Sequence, residues 1–162
     1  MFFPKEFKSG VSGIDLETLW KNGKRGILCD IDNTLCRDEQ FYIEPQSAEF
    51  IRRAKELGFK ICLMSNNGNS RVEPVASELS LPYNAKSGKP KAAAYLNSLK
   101  KIDVPLENAV MVGDQLFTDI LGANLIGLYS ILVKPIDKKE ILQIRLKRPF
   151  EKIILFFYKI TH

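Results

Sequence analysis

The sequence predicts an α/β fold: a parallel sheet of five strands with helices on both faces. Two observations carry that prediction. Short apolar runs alternate with helical segments five times along the chain, the pattern of a sheet built from strand–helix–strand crossovers. The loops after four of those runs hold acids, a serine and a lysine, and open parallel sheets bind ligands beyond the carboxyl ends of their strands.

The elements are justified in order. Residues 1 to 24 read as an irregular lead-in with a short helix at about 15 to 20, ended by Asn22-Gly23. The first strand covers about 25 to 31, around the apolar run Ile27-Leu28-Cys29. Pro45 suits a first helical position and opens a helix that Gly58 stops. Residues 59 to 64 are a second apolar run, hence a second strand, and Ser65-Asn66-Asn67-Gly68 is a turn cluster. A helix over about 69 to 79 is interrupted or started by Pro74. Residues 81 to 85 form a short third strand, followed by the loop Ser87-Gly88-Lys89-Pro90 and a helix over 91 to 101. Residues 109 to 112 make the fourth strand and lead into Gly113-Asp114-Gln115. A helix over 116 to 125 stops at Gly127. Residues 129 to 133 make the fifth strand, ended at Lys134-Pro135.

Length and composition bound the function. A chain of 162 residues fits one domain with a sizeable core, and 45% apolar with 27% charged is an ordinary globular balance. No apolar run approaches the roughly 20 residues of a spanning helix. The opening Met1-Phe2-Phe3-Pro4-Lys5-Glu6 lacks the long apolar stretch of a leader, so a cytoplasmic location is expected. Cys29, Cys36 and Cys62 form no C-x-x-C pair and read as buried thiols in a reducing compartment. No arginine lies six residues after a cysteine, which argues against a cysteine-based phosphatase loop. The only histidine is His162, so chemistry needing an internal histidine is excluded.

Asp30 and Asp32 stand one residue apart after the first strand. On an extended chain, residues i and i+2 point to one side. Two carboxylates so close repel, and burial makes ionisation costlier. A cation relieves both problems, and hard oxygen ligands suit Mg²⁺. Asp30, Asp32 and Asn33 also suit a turn or a helix cap. The wider set adds Ser65, Lys89 and Asp114, each after a successive strand. Two acids, a hydroxyl, a lysine and a third acid suit phosphoryl transfer, which rests on positioning and charge stabilisation. One aspartate serves as nucleophile and forms an aspartyl-phosphate. The other protonates the leaving oxygen and then takes a proton from water. Lys89 and Mg²⁺ neutralise the phosphoryl oxygens. Ser65 and the turn after it, through Asn66, bind those oxygens. Gly88-Lys89 lacks the spacing of a nucleotide P-loop.

Asp30-Ile31-Asp32-Asn33-Thr34 resembles the D-x-D-x-T motif of the haloacid dehalogenase (HAD) superfamily. Ser65, Lys89, and Gly113-Asp114 with Asp119 resemble its second, third and fourth motifs, in order, across residues 25 to about 135. The resemblance implies a Rossmann-like fold, Asp30 as nucleophile and Asp32 as general acid/base. It implies Mg²⁺ bound by Asp30, the carbonyl of Asp32, and Asp114. It makes Asp119 an accessory acid and gives Thr34 a supporting place in the loop. Only residues 33 to 64 separate Asp32 from Ser65, and 66 to 88 separate Ser65 from Lys89. Neither interval has room for a cap domain, so an open site is expected. Asp-Ile-Asp-Asn-Thr-Leu, Met-Ser-Asn-Asn-Gly, Gly-Lys-Pro and Gly-Asp-Gln-Leu-Phe-Thr-Asp-Ile-Leu-Gly-Ala-Asn are similar to the YqeG-type, capless group (subclass III). That group resembles the mitochondrial phosphatidylglycerophosphate phosphatases, which implies dephosphorylation of phosphatidylglycerophosphate to phosphatidylglycerol.

Charge divides the chain at the fifth strand. Residues 1 to 133 balance 16 Lys/Arg against 16 Asp/Glu, while residues 134 to 162 hold 8 against 3, so the whole excess of +5 lies in the tail. The expected organisation is a catalytic core over 1 to 135 and a basic amphipathic helical extension of the same domain over 136 to 162. In that extension Ile141, Leu142, Leu146, Phe150, Ile153, Ile154 and Phe157 recur every three or four residues among Lys and Arg. They either pack on the sheet or lie on an anionic bilayer, which would place the protein on the inner face of the membrane. The expected partner is a phosphomonoester, favoured as a lipid headgroup, and nucleic acid is not favoured. Two other readings stay open: a phosphatase of phosphoproteins, nucleic-acid ends or soluble phosphoesters, and a non-catalytic nucleic-acid or surface-binding module. A phosphate-accepting receiver would need an aspartate ending a middle strand, and no Asp occurs between Asp38 and Asp103.

Overall fold

The structure, a computed structural model, describes residues 1–137. The apolar runs form strands whose alternation splits the core into two layers. In β2 (Gly26–Asp30), β3 (Lys60–Met64) and β5 (Ala109–Gly113) every second residue turns to the same side. Ile27, Cys29, Ile61, Leu63, Val110 and Val112 share one apolar cluster with Phe50, Ile51 and Val75. Leu28, Cys62, Met64 and Met111 share the other with Tyr95, Leu99 and Ala123. Helices α1 (Leu16–Lys21), α2 (Pro45–Leu57) and α3 (Asn69–Leu79) supply the first cluster. Helices α4 (Ala92–Ile102) and α5 (Leu121–Leu125) supply the second. Each fully buried aliphatic side chain is worth about 1.5–3 kcal/mol, so strands buried on both faces hold the sheet at its centre.

The helix ends follow their local chemistry. Asp15 caps α1 by accepting the Thr18 N–H at 2.9 Å. Pro45 takes the first turn of α2, and Gly58 ends it in the left-handed region at φ 99. Helix α3 runs through Pro74, which neither starts nor interrupts it. The helical segment after β5 begins as a π-helical turn, Leu116–Ile120, before α5.

Among the described residues the sheet has six parallel strands, in the order β1-β6-β5-β2-β3-β4. The count exceeds the five expected because β1 (Glu6–Lys8) lies inside the presumed irregular lead-in and pairs with β6 (Tyr129–Val133). Its three residues are half-buried and two of them are charged, so no apolar run marks it. The third expected strand shrinks to two residues, β4 (Tyr83–Asn84). From β2 the chain builds one flank through β3 and β4, then crosses to build the other through β5 and β6. The carboxyl end of β2 is therefore the point where the winding reverses, the place where open sheets leave a crevice. The described residues contain no helix long and apolar enough to cross a membrane. The connection from β2 to α2 is a loop, with no inserted domain among the described residues.

Candidate active site

Asp30 ends β2 level with Met64 of β3, at the centre of the sheet. The chain then turns tightly: the N–H groups of Thr34, Leu35 and Cys36 all point at the Ile31 carbonyl, at 3.2, 2.9 and 3.1 Å. Asn33 adopts φ 61 to make this turn, a conformation asparagine tolerates better than most residues. The fold of the loop brings the Thr34 hydroxyl to within 3.3 Å of Asp30 Oδ2.

Lys89 arrives from the loop after β4 and penetrates to Asp30. Its Nζ lies 2.6 Å from Asp30 Oδ1 and 2.7 Å from Asp119 Oδ1, and its side chain is 2% exposed. Burial alone would push this ammonium down; the carboxylates of Asp119 and Asp30 outweigh it and hold the pKa above the ordinary lysine value. The lysine is thus a fixed positive charge. Asn66 sets its backbone. Asn66 Oδ1 accepts the N–H groups of Gly88 and Lys89 at 3.1 and 2.9 Å and the Ser87 hydroxyl at 3.0 Å, while Nδ2 donates to the Lys89 carbonyl at 3.0 Å. The side chain of Asn66 is therefore spent on the lysine loop. Ser65 is buried after β3, and its Oγ accepts the Asn67 N–H at 3.0 Å.

Asp119 reaches the cluster because of the π-helical turn and a glycine. Its Oδ2 accepts the Gln115 N–H at 3.1 Å. A Cβ on Gly113 would overlap the Asp119 carboxylate, so β5 must end in glycine for the acid to pack there. The Tyr95 hydroxyl donates to the Thr118 carbonyl, and a Cβ on Gly122 would strike the Tyr95 ring. One tyrosine from α4 thus fastens the turn that carries Asp119. Asp30, Asp114 and Asp119 are all buried, and one carboxylate oxygen of each lies within 4.8 Å of the others.

The donor set fits a divalent cation. Three buried carboxylates and one ammonium leave a formal charge of −2 in a dehydrated pocket, which is costly without a counter-ion. Burial is the largest influence on the Asp30 carboxyl and pushes it up to about 7 against the pull of Lys89, with Asp119 and Asp32 adding to the rise. A hard cation favours the ionised form and takes oxygen ligands.

Asp32 stands apart from this cluster. Its carboxylate faces α3: Arg71 Nε and Nη2 donate to Oδ1 at 3.0 and 2.6 Å, and Asn67 Nδ2 donates to Oδ2 at 2.9 Å. The Phe41 ring lies with its centroid 5.1 Å from Arg71 Cζ. Sequence reasoning missed Arg71, Asn67, Tyr95 and Phe41. Arginine early in an amphipathic helix reads as surface, and only its position in the first turn of α3, just after the turn cluster, hinted otherwise.

This fold, with acids and a lysine converging at the ends of successive strands, defines a class. Residues 27–87 match the haloacid dehalogenase-like hydrolase family and residues 86–138 the HAD-hydrolase-like family. The chain belongs to the HAD-like hydrolases, as a phosphatase of the YqeG type. It is 34% identical over 154 residues to the probable phosphatase YqeG of Bacillus subtilis (strain 168), spanning 95% of this chain and 90% of that one. It is 28% identical over 136 residues to phosphatidylglycerophosphate phosphatase 1, chloroplastic/mitochondrial, of Arabidopsis thaliana, spanning 78% of this chain but 39% of that protein. The fold is similar to that of NagD from E. coli K-12, with a TM-score of 0.58 at 15% identity over 68% of this chain and 87% of that one.

Proposed function

We propose that the protein is a Mg²⁺-dependent phosphatase working through an aspartyl-phosphate on Asp30, and that its substrate is phosphatidylglycerophosphate. The observation that carries the catalytic part is Lys89, buried between Asp30 and Asp119 beside Asp114. A lysine so placed holds the Asp30 carboxylate still and offers its charge to an incoming phosphoryl group.

In the first step an oxygen of Asp30 attacks phosphorus, the bond to the leaving oxygen breaks, and Asp32 gives that oxygen a proton. In the second, water attacks the same phosphorus, Asp32 takes the water's proton, and the acyl-phosphate bond breaks to release inorganic phosphate. Asp30, Asp114 and the carbonyl of Asp32 would hold Mg²⁺, which supplies further neutralisation of the phosphoryl oxygens when bound. Thr34 steadies Asp30, and Asp119 steadies Lys89. Ser65 and the N–H groups of the turn after it, Asn66 included, would receive phosphoryl oxygens; the Asn66 side chain already holds the lysine loop.

Three features support a lipid phosphate as substrate. Among the described residues no inserted domain covers the site, which leaves access for a bulky leaving group. Phe41 and Tyr42, 50% and 62% exposed, stand on the loop that carries Asp32. The chain also leaves the described residues at this end: the Asp137 N–H bonds Asn33 Oδ1 at 3.1 Å, and Arg37 pairs with Asp137 at 3.8 Å. Of the basic segment expected over 136 to 162, residues 138 to 162 lie outside the described residues. A location on the cytoplasmic face of the membrane follows from this reading.

A phosphate-release screen tests it, with phosphatidylglycerophosphate in mixed micelles beside phosphopeptides, 5′-phosphorylated oligonucleotides and soluble phosphoesters. Preferred turnover of the lipid, lost in excess chelator, is expected. Preference for any other class would remove the lipid assignment while leaving the aspartyl-phosphate chemistry intact.

A further inference from the structure

We propose that Arg71 is the positioning residue of Asp32, and that it divides the labour of the two carboxylate oxygens: Oδ1 is the anchored one and Oδ2 the one that exchanges the proton. The proposal rests on Asp32 acting as general acid/base, as argued above.

Asp32 sits on a loop rather than on a strand or helix, and its side chain turns away from Lys89. Nothing in the loop itself holds its carboxylate. Arg71 does so from the first turn of α3, with two donors on a single oxygen, at 3.0 and 2.6 Å. The two side chains are 12% and 13% exposed, so the pair is largely shielded from water. Hydrogen bonds between ions are about twice as strong as neutral ones and are stronger away from bulk solvent. Oδ2 is held differently. Its partner is the neutral amide of Asn67, an exposed residue, through one bond at 2.9 Å. A substrate oxygen entering the open site can replace that bond far more easily than it can displace the guanidinium.

The placement of Arg71 is too specific for a solubilising charge. Its Nη1 is buried away from water. The face of the guanidinium is covered by Phe41, and the same group lies against the Cys36 thiol. An arginine on the outer face of α3 would keep all three nitrogens in water and its rotamers free. Here planarity and charge are both used: the fork fixes the plane of the Asp32 carboxylate, and Phe41 keeps the fork from swinging out. Lysine could supply the charge without the plane.

The test uses the full chain with Mg²⁺ and two soluble substrates, p-nitrophenyl phosphate with a good leaving group and an alkyl phosphate with a poor one. Arg71→Ala is expected to lower kcat for the alkyl phosphate ten- to a hundredfold and for p-nitrophenyl phosphate by less than threefold, with KM little changed. Arg71→Lys should recover part of the alkyl phosphate rate, and it also serves if the alanine variant fails to fold. Asp32→Asn should show the same bias between substrates. The double variant Asp32→Asn, Arg71→Ala should be no slower than Asp32→Asn alone, because residues acting as one unit are not additive. Equal losses on both substrates, or losses that multiply in the double variant, would overturn the role of Arg71. A bias absent from Asp32→Asn itself would remove the acid/base role of Asp32, a separate failure. Asn67→Ala, which frees Oδ2, should change the alkyl phosphate rate less than threefold; a loss matching that of Arg71→Ala would exchange the assignment of the two oxygens.

Discussion

Asp30 and Asp32 are two residues apart in sequence, yet they live in opposite electrostatic settings. Asp30 closes a central strand and meets an ammonium at 2.6 Å among further buried acids. Asp32 follows on a loop and meets a guanidinium and an amide at the rim. The buried setting is fixed: Asp30 ends a strand, the Asn66 side chain holds the Lys89 loop and the π-helical turn holds Asp119, and the charges there balance only with a further cation. The rim setting is adjustable, because one of its partners is exposed and neutral. A group that must attack from a fixed point belongs in the first, and a group that must receive and release a proton belongs in the second.

The largest effect should come from the buried side. Asp30→Asn is expected to abolish capture of covalent phosphate and to lower turnover by about a thousandfold or more, while the fold survives. Acid-quench trapping with a labelled substrate reads the intermediate; a labelled acyl-phosphate in the variant would break the comparison outright. Lys89→Ala is expected next, at roughly 10²–10³-fold in kcat for good and poor leaving groups alike. It should also destabilise the protein by about 3–5 kcal/mol, since two buried carboxylates lose their partner. Denaturant unfolding checks that cost, and a loss confined to poor leaving groups would move Lys89 into the rim's role.

Cation binding sharpens the contrast without any turnover. Mg²⁺ at a hundred times its dissociation constant should stabilise the wild type by about 2.7 kcal/mol, seen as a higher Tm. Asp114→Asn should lose most of that shift and Arg71→Ala none of it. A smaller effect, about 1–3 kcal/mol, is expected for Gly122→Ala, which drives a methyl group into Tyr95 and loosens the turn under Asp119. The smallest lies in the tail. Reversing Lys147, Arg148 and Lys152 should weaken binding to anionic vesicles at low salt by roughly 1 kcal/mol per charge, with soluble phosphoester turnover unchanged. Normal vesicle binding by that variant would end the membrane reading.

Much of this was legible beforehand. The unbroken apolar run Ile27-Leu28-Cys29, and the similar runs in β3 and β5, announced central strands, because a strand buried on both faces must be apolar throughout. The positions of Asp30, Ser65, Lys89 and Asp114 at strand ends then followed. Strand β1 did not, since Glu6 and Lys8 at a sheet edge carry no burial signal. The turn after β3 was expected to offer its N–H groups to substrate; that the Asn66 side chain also secures the lysine loop could not be read from the turn itself.

Apolar runs and the order of polar residues after them determined the parallel sheet, the end of it that carries chemistry, and the candidates Asp30, Lys89, Asp114 and Asp119 that meet there, whereas Asp32, expected to face the same point as Asp30, turns to Arg71 and Asn67. These are local properties, readable wherever burial on both faces makes a strand apolar throughout. The pairing of Asp32 with Arg71, the fastening of the Asp119 turn by Tyr95, and the glycines that make room for Asp119 and Tyr95 were decided only by the tertiary structure. Each joins groups from separate elements at a distance of a few ångströms, and no pattern within one element specifies which partner the other will bring.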